Sequence, residues 1–272
     1  MLTNAAWAAF DRLLDHPAFR RRAAQWVVRA QGLMGIGAGT AVDSSGESAA
    51  LELVRSRSQG SLCIFDVGAN CGEYAELSLQ VLKEQAGAIH SFEPSPVAFG
   101  ELTRRLHGQP AVHLVPVALG ETREQRLLYA DQPGSPLASL TKRNLDHFGI
   151  AVTHADQISV TTVDAYCAEH GVERIDLLKL DVEGHELDVL RGARRMLAER
   201  RIRLLTFEFG GTNIDTRTYV RDFFELLMPL GANGLYRIMP RGRLFHLPTY
   251  DETLEAFRTT NFLVVLDPTL TP

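Results

Sequence analysis

A chain of 272 residues fits one α/β catalytic domain with a terminal extension better than two full domains, since α/β sheets reach the upper end of the usual domain size as single units. With 45% hydrophobic and 22% charged residues it has apolar surface for a sizeable core, which excludes disorder and collagen-like repeats. Its 28 basic and 33 acidic side chains leave a net charge of -5, so no whole-chain positive field gathers phosphates and a nucleic-acid partner is disfavoured.

From residue 2 to about 28, Trp7, Phe10, Leu14 and Phe19 recur at roughly helical spacing, followed by Arg20, Arg21 and Arg22. The pattern predicts one or two amphipathic helices lying across the main domain or a sister subunit, the sharper alternative being a membrane-surface or substrate-covering element. Asp11, Arg12 and Asp15 interrupt the apolar run that a signal peptide would need, and no stretch approaches a transmembrane span. Glycines crowd between Gly32 and Gly46, placing a boundary between an extension, 1–45, and a main domain, 46–272.

Thereafter apolar runs alternate with helical patterns: strand 62–67, helix 74–82, strand 88–92, helix 97–106, strand 112–117. That alternation is the mark of a parallel α/β sheet. Between residues 125 and 162 the rhythm breaks into strands at 127–129 and 158–161 around a Gly/Pro/Ser-containing loop, a β excursion. It resumes with strand 175–180, helix 185–197, strand 202–207 and helix 219–228, and final strands fall within 231–240 and 261–266 with a hairpin around Arg241 to Arg243. The scattered cysteines Cys63, Cys71 and Cys167 fit neither a disulfide scaffold nor a paired zinc site, and point to a reducing cytoplasm.

The first strand runs into Asp66-Val-Gly68-Ala69-Asn70-Cys-Gly72, with a helix directly after it. Glycines there let the chain turn sharply and bring backbone N–H groups toward a ligand at the helix N-terminus. Glu93, at the end of the second strand, suits the two hydroxyls of a ribose. The spacing Gly68-x-x-x-Gly72 is not the G-x-G-x-x-G of dinucleotide sites. Asp66 would repel a pyrophosphate but could pair, directly or through water, with the amino group of a methionine moiety, which favours S-adenosylmethionine over NAD.

The octet Lys179-Leu-Asp181-Val-Glu183-Gly184-His185-Glu186 resembles the FkbM-type methyltransferases, a branch of the class I S-adenosylmethionine-dependent enzymes. Asp66 to Gly72, Phe92-Glu-Pro94, Val117-Ala-Leu-Gly120, Ser139-Leu140, Thr162-Val-Asp164, Leu190-Arg-Gly192 and Phe207-Glu208-Phe209 resemble that family's successive blocks in order. The resemblance covers roughly residues 45–209. It implies a Rossmann-like, mainly parallel, seven-stranded sheet with helices on both faces, and methyl transfer to a hydroxyl of a small metabolite, sugar or natural-product glycoside. It places Asp66, Gly68, Ala69, Asn70, Gly72, Glu93, Pro94 and Ala118 at cofactor positions, with Ser139 and Asp181 near the methionine end.

Ligands of open α/β sheets lie beyond the carboxyl ends of the strands. Asp181 and Glu208 end strands expected to be neighbours, so two carboxylates should converge on the acceptor half of the crevice. An alcohol must be aligned and lose its proton, and carboxylate, imidazole or a divalent metal could each serve. Asp181, Glu208 and His185 are therefore the catalytic candidates. Glu183 and Glu186 also favour the following helix start through its dipole, and Lys179, on a buried strand, is expected to pair with a carboxylate. His90 and His113 are read as core or edge residues. A homodimer through the N-terminal helices is one expected assembly. The competing readings are a nicotinamide dehydrogenase and a non-catalytic nucleoside-binding module.

Overall fold

The computed structural model describes residues 16–37 and 46–272. The expected helical pattern before residue 16, and most of the glycine-rich boundary at 38–45, lie outside the described residues. Helix α1 (Pro17–Leu33) runs on through Gly32, and the chain turns at Gly35 and Gly37, both with positive φ.

Helix α2 (Ser48–Ser56), which no sequence pattern flagged, buries Ala50, Leu51 and Val54. Strand β1 (Leu62–Val67), helix α3 (Glu73–Leu82), strand β2 (Ala86–Phe92), helix α4 (Pro96–Leu106) and strand β3 (Val112–Val115) follow the predicted alternation. The expected strand 112–117 stops early, and Ala118–Leu119 forms a separate strand β4. Pro116 between them has no N–H to give to a ladder. Strands β5 (Glu124–Ala130) and β6 (His154–Thr161) make the β excursion with β4, in the order β4-β6-β5.

Then come α5 (Val163–His170), β7 (Ile175–Leu180), α6 (Glu186–Arg191), α7 (Arg194–Ala198), β8 (Ile202–Phe209), α8 (Thr212–Thr216), α9 (Val220–Leu227), β9 (Leu235–Met239), β10 (Arg243–Leu247) and β11 (Thr260–Val265). The single helix expected over 185–197 is instead two. The Gly192 carbonyl accepts from the Asp164 N–H at 3.0 Å, and a Cβ at Gly192 would stand 2.0 Å from the Gly120 carbonyl oxygen. Close backbone contact there breaks the helical ladder.

The main sheet has the order β3-β2-β1-β7-β8-β11-β9-β10. Five strands from β3 to β8 are parallel, and β11 runs antiparallel to both β8 and β9. The sheet has eight strands, one more than the resemblance implies. The additional one, β10, is the second arm of the predicted hairpin, turned by Arg241 and Gly242 at positive φ.

Helices cover both faces, as a parallel sheet with two apolar sides requires. On one side α2, α3 and α4 pack Leu51, Val54, Ala75 and Leu102 against Ile64, Leu177 and Leu204. On the other, Val163, Leu190, Met196 and Phe223 meet Phe65, Leu178, Leu205 and Phe207. The Phe207 and Phe223 rings stack with centroids 4.1 Å apart, and each such buried phenylalanine contributes roughly 3–5 kcal/mol measured against alanine. All six residues of β7 are buried, so the strands on either side of the order reversal at β1/β7 are held rigidly, and their carboxyl ends open into one cavity.

Candidate active site

The Asp66 to Gly72 turn is built to bring backbones together. Gly68 has φ +81°, and a Cβ on it would lie 1.8 Å from the Asp181 carbonyl oxygen, while the Asp181 N–H donates to the Val67 carbonyl at 3.0 Å. The two strand ends therefore touch. Most amides of the turn are satisfied inside the protein: Gly68 and Ala69 both donate to the Phe92 carbonyl, at 3.0 and 2.9 Å, and Gly72 donates to Ala69 at 2.8 Å. Asn70, at φ +46°, donates to Glu93 Oε2 at 2.9 Å. Glycine in this turn permits close approach of the backbones, and the N–H groups of Gly68, Ala69, Asn70 and Gly72 are taken up within the protein rather than left for a ligand.

Glu93 is buried and accepts one backbone N–H on each oxygen, from Asn70 and, at 2.8 Å, from Ser95. Burial pushes its carboxyl up to about 7, against the pull of those two hydrogen bonds. Each oxygen keeps acceptor capacity, so a pair of adjacent hydroxyls fits a carboxylate already fixed in orientation.

A cavity of about 480 Å³ joins this half to a second one, a volume within the range of small-molecule sites. Gly68, Ala69, Asn70, Glu93, Pro94 and Ala118 line it, and so do Asp181, His185 and Glu208, with Asp181 next to the Gly68 turn. Three of the sequence-predicted residues do not line it. Asp66 is wholly buried, its Oδ1 3.2 Å from Lys179 Nζ. Gly72 caps the start of α3. Ser139 ties the β excursion down: its Oγ donates to the Glu183 carbonyl at 2.8 Å, and its backbone exchanges two hydrogen bonds with Tyr129.

Lys179 pairs as expected and serves two carboxylates, Asp66 and, at 3.5 Å, Asp181. Burial works against its charge, but those neighbours hold its pKa above the ordinary value. Burial raises Asp66, which has only a share of that cation. The loop after β7 is held from below by Glu186, whose Oε1 accepts from the amides of Val182 and Gly184, each at 3.1 Å. Glu186 thus acts on the loop backbone directly.

The part of the cavity around Asp181 and Glu208 is strongly acidic. Glu208 is pushed up to about 10, by burial first and then by Asp181, Glu183, Glu186 and Glu47, and burial with Asp181 pushes Glu183 up to about 8 despite Arg143. Arg143 Nη1 donates to Glu183 Oε2 at 2.9 Å and its Nε lies 3.8 Å from Asp215. His185 is buried with both ring nitrogens engaged, Nδ1 2.8 Å from Asp188 and Nε2 3.0 Å from Thr141 Oγ1. Among the described residues no group of three or more His, Cys, Asp or Glu side chains could hold a metal ion. His90 and His113 stack on each other, ring centroids 4.6 Å apart, and do not line the cavity.

Sequence reasoning missed Glu47, Tyr74, Arg143, Thr212 and Thr259 in the cavity wall. None belongs to a recognisable motif. The signal for Glu47 was present, since it directly precedes the helical spacing of Ala50, Leu51 and Val54.

The methyltransferase FkbM domain model matches residues 66–238. Among characterised proteins the chain is similar to the 2-O-methyltransferase NoeI of Sinorhizobium fredii, 30% identical over 148 residues that make up 51% of this chain and 60% of NoeI. It is also similar to the hexuronic acid methyltransferase AglP of Haloferax volcanii, 26% identical over 157 residues, 57% of this chain and 59% of AglP. The matches span about 60% of these relatives' length. A solved structure, the FkbM methyltransferase of Methylobacillus flagellatus KT, aligns with a TM-score of 0.47 at 17% identity, over 75% of this chain and 43% of that one. The family match covers well over half of the sequence and takes in both halves of the cavity, from the turn after β1 to β9: the chain belongs to the FkbM methyltransferase family.

Proposed function

We propose that this protein, as residues 46–272 with an extension at 1–45, is an S-adenosylmethionine-dependent O-methyltransferase acting on a hydroxyl of a sugar, glycoside or similar small metabolite. The observation that carries the reading is one cavity lined both by Glu93, a carboxyl placed to take a diol, and by the carboxyls of Asp181 and Glu208. The relatives named for 2-O-methylation and for hexuronic acid methylation support a sugar-like acceptor. The residues present fit the cofactor. Glu93 would hold the ribose hydroxyls, Pro94 and Ala118 the adenine side, and the Gly68 to Asn70 turn with Asp181 the methionine end. S-adenosylmethionine supplies an electrophilic methyl group when bound.

The chain's own work is to bind, orient and deprotonate the acceptor. Glu208, retaining its proton at neutral pH, donates a hydrogen bond to an acceptor oxygen, whereas Asp181, at the junction of the two halves, accepts from a hydroxyl. Asp188 fixes the imidazole of His185 so that Nε2 is turned to Thr141, and displacement of the Thr141 hydroxyl by the acceptor would let Nε2 take the proton. A positioned base contributes about 10²–10⁴-fold.

Calorimetric titration with S-adenosylmethionine and, separately, with NAD tests the cofactor, and mass spectrometry for methylated product across hydroxylated glycosides tests the reaction. Binding of NAD in preference to S-adenosylmethionine would overturn the reading. So would His185→Ala, Asp181→Asn and Glu208→Gln variants that all methylate the true acceptor at the parent rate.

A further inference from the structure

Helix α1 differs from every other α-helix among the described residues. None of its residues is buried, and Trp26 and Leu33 are 67% and 72% exposed, with Val27 and Val28 also open to solvent. Ala23, Trp26, Ala30 and Leu33 follow a 3-4-3 spacing and share one stripe, and Arg22 and Arg29, seven residues apart, run along its edge. Arg29 lies over the Trp26 ring, 5.8 Å from its centroid. The helix contains four arginines and no acidic residue, so its formal charge is +4, and the rest of the chain carries −5 − 4 = −9.

The helix is fastened at its C-terminal end. Gln31 Oε1 accepts from Arg258 Nη1 at 2.7 Å, the Gly37 N–H donates to the Thr259 carbonyl at 2.7 Å, and a Cβ on Gly35 would stand 2.5 Å from the Ile238 carbonyl oxygen. Thr259 belongs to the cavity wall. The attachment is therefore at the cavity's rim.

We propose that α1 lies in the surface of an anionic lipid bilayer, with Trp26 and Leu33 at the headgroup–acyl boundary and Arg21, Arg22 and Arg29 on lipid phosphates. An exposed tryptophan on a cationic helix matches that interface, where an amphipathic ring and long cationic side chains are both accommodated. A second copy of α1 is a poorer occupant. Pairing along the stripe would bring Arg22 and Arg29 of two helices together with no acidic residue on either to receive them. Anionic lipid supplies the missing charge, and the rim attachment holds the cavity beside the bilayer. The inference does not depend on the chemistry of the cavity.

The test is co-sedimentation of the full chain with vesicles of phosphatidylcholine alone and of equimolar phosphatidylcholine and phosphatidylglycerol. Binding is expected to the anionic vesicles only, and to weaken with salt. Substituting Arg21, Arg22 and Arg29 together by glutamine should lower the partition coefficient roughly fivefold per charge, about a hundredfold in all. In a Trp7→Phe chain Trp26 is the one remaining tryptophan, and its emission should shift to the blue on anionic vesicles. Equal binding to both vesicle types, or to neither, would overturn the proposal. A lipid-free dimer in light scattering that becomes a monomer in Trp26→Ser would overturn it in favour of self-association.

Discussion

Replacing Glu208 by glutamine should make the protein more stable and less active. Its carboxyl is raised from 4.5 to about 10 by burial and by Asp181, Glu183, Glu186 and Glu47. A carboxyl whose folded pKa lies above its unfolded one binds a proton in the native state that the unfolded chain has released, so stability falls as pH rises from the unfolded value to the folded one. Between 4.5 and neutral pH the loss accumulates at ~1.4 kcal/mol per pH unit, or ~3 kcal/mol at pH 7 for this residue alone. Neighbouring carboxylates share the same field, so ~1–3 kcal/mol is expected to return in Glu208→Gln, with a rise in Tm of roughly 2–8 °C for a chain of this size. Urea unfolding at about pH 5 and pH 8 is the assay: the variant's advantage should be small at the lower pH and grow toward the higher. Methyl transfer should fall in the same protein, because the amide N–H is a weaker donor, differently placed, than the carboxylic O–H proposed to bond the acceptor oxygen. A variant no more stable than the parent at pH 8 would refute the argument that an uncompensated negative field fills the acceptor half.

Glu93→Ala removes the fixed acceptor for a diol, and calorimetry should show S-adenosylmethionine affinity reduced by ~1.5–3 kcal/mol, about 10- to 150-fold. Since burial raises Glu93 to about 7, affinity in the parent should weaken as pH falls through that value and the carboxyl gains a proton. Gly68→Ala places a methyl against the Asp181 carbonyl at a positive φ, and differential scanning calorimetry should show a loss of at least ~1–3 kcal/mol together with lost cofactor binding. Asp176 lies in β7 away from the cavity, receiving Arg203 at 3.0 Å and the Cys63 N–H at 2.9 Å. Asp176→Ala should cost ~3–5 kcal/mol in urea unfolding, while cofactor affinity of the folded protein stays unchanged.

Most of the fold was legible because its signals are local. The alternation of strands and helices, the excursion between β4 and β6, and the hairpin at Arg241 each rest on a run of residues a few positions long. What sequence pattern did not show depends on contacts between distant segments. The break at Gly192 is made by Gly120 and Asp164, which flank the β excursion and lie far from Gly192 in the sequence. Ser139, placed near a methionine end by resemblance, also holds the Glu183 carbonyl, a contact between segments far apart in the sequence. Arg143 entered no motif because its role arises from meeting Glu183 and Asp215, on two other segments.

Lys179 explains why the two halves of the cavity stay in register. Its ammonium reaches the Gly68 carbonyl at 3.4 Å as well as Asp66 and Asp181, so one buried cation holds the turn after β1 and the loop after β7 from beneath. Hydrogen bonding between the Asp181 N–H and Val67 fixes the same two backbones from the side, and the Gly68–Asp181 contact leaves no room for either to slide. A methyl donor and its acceptor must meet within a fraction of an ångström for in-line transfer. Under the proposed reaction, having the turn after β1 and Asp181 on adjacent parallel strands, with one charge shared between them, would meet that demand with strand ends that are already among the most buried parts of the molecule. It also accounts for the separation of roles among the acids. Asp66, paired and sealed, holds structure, while Asp181, sharing the same lysine but facing the cavity, is left with a carboxylate that an acceptor hydroxyl can reach.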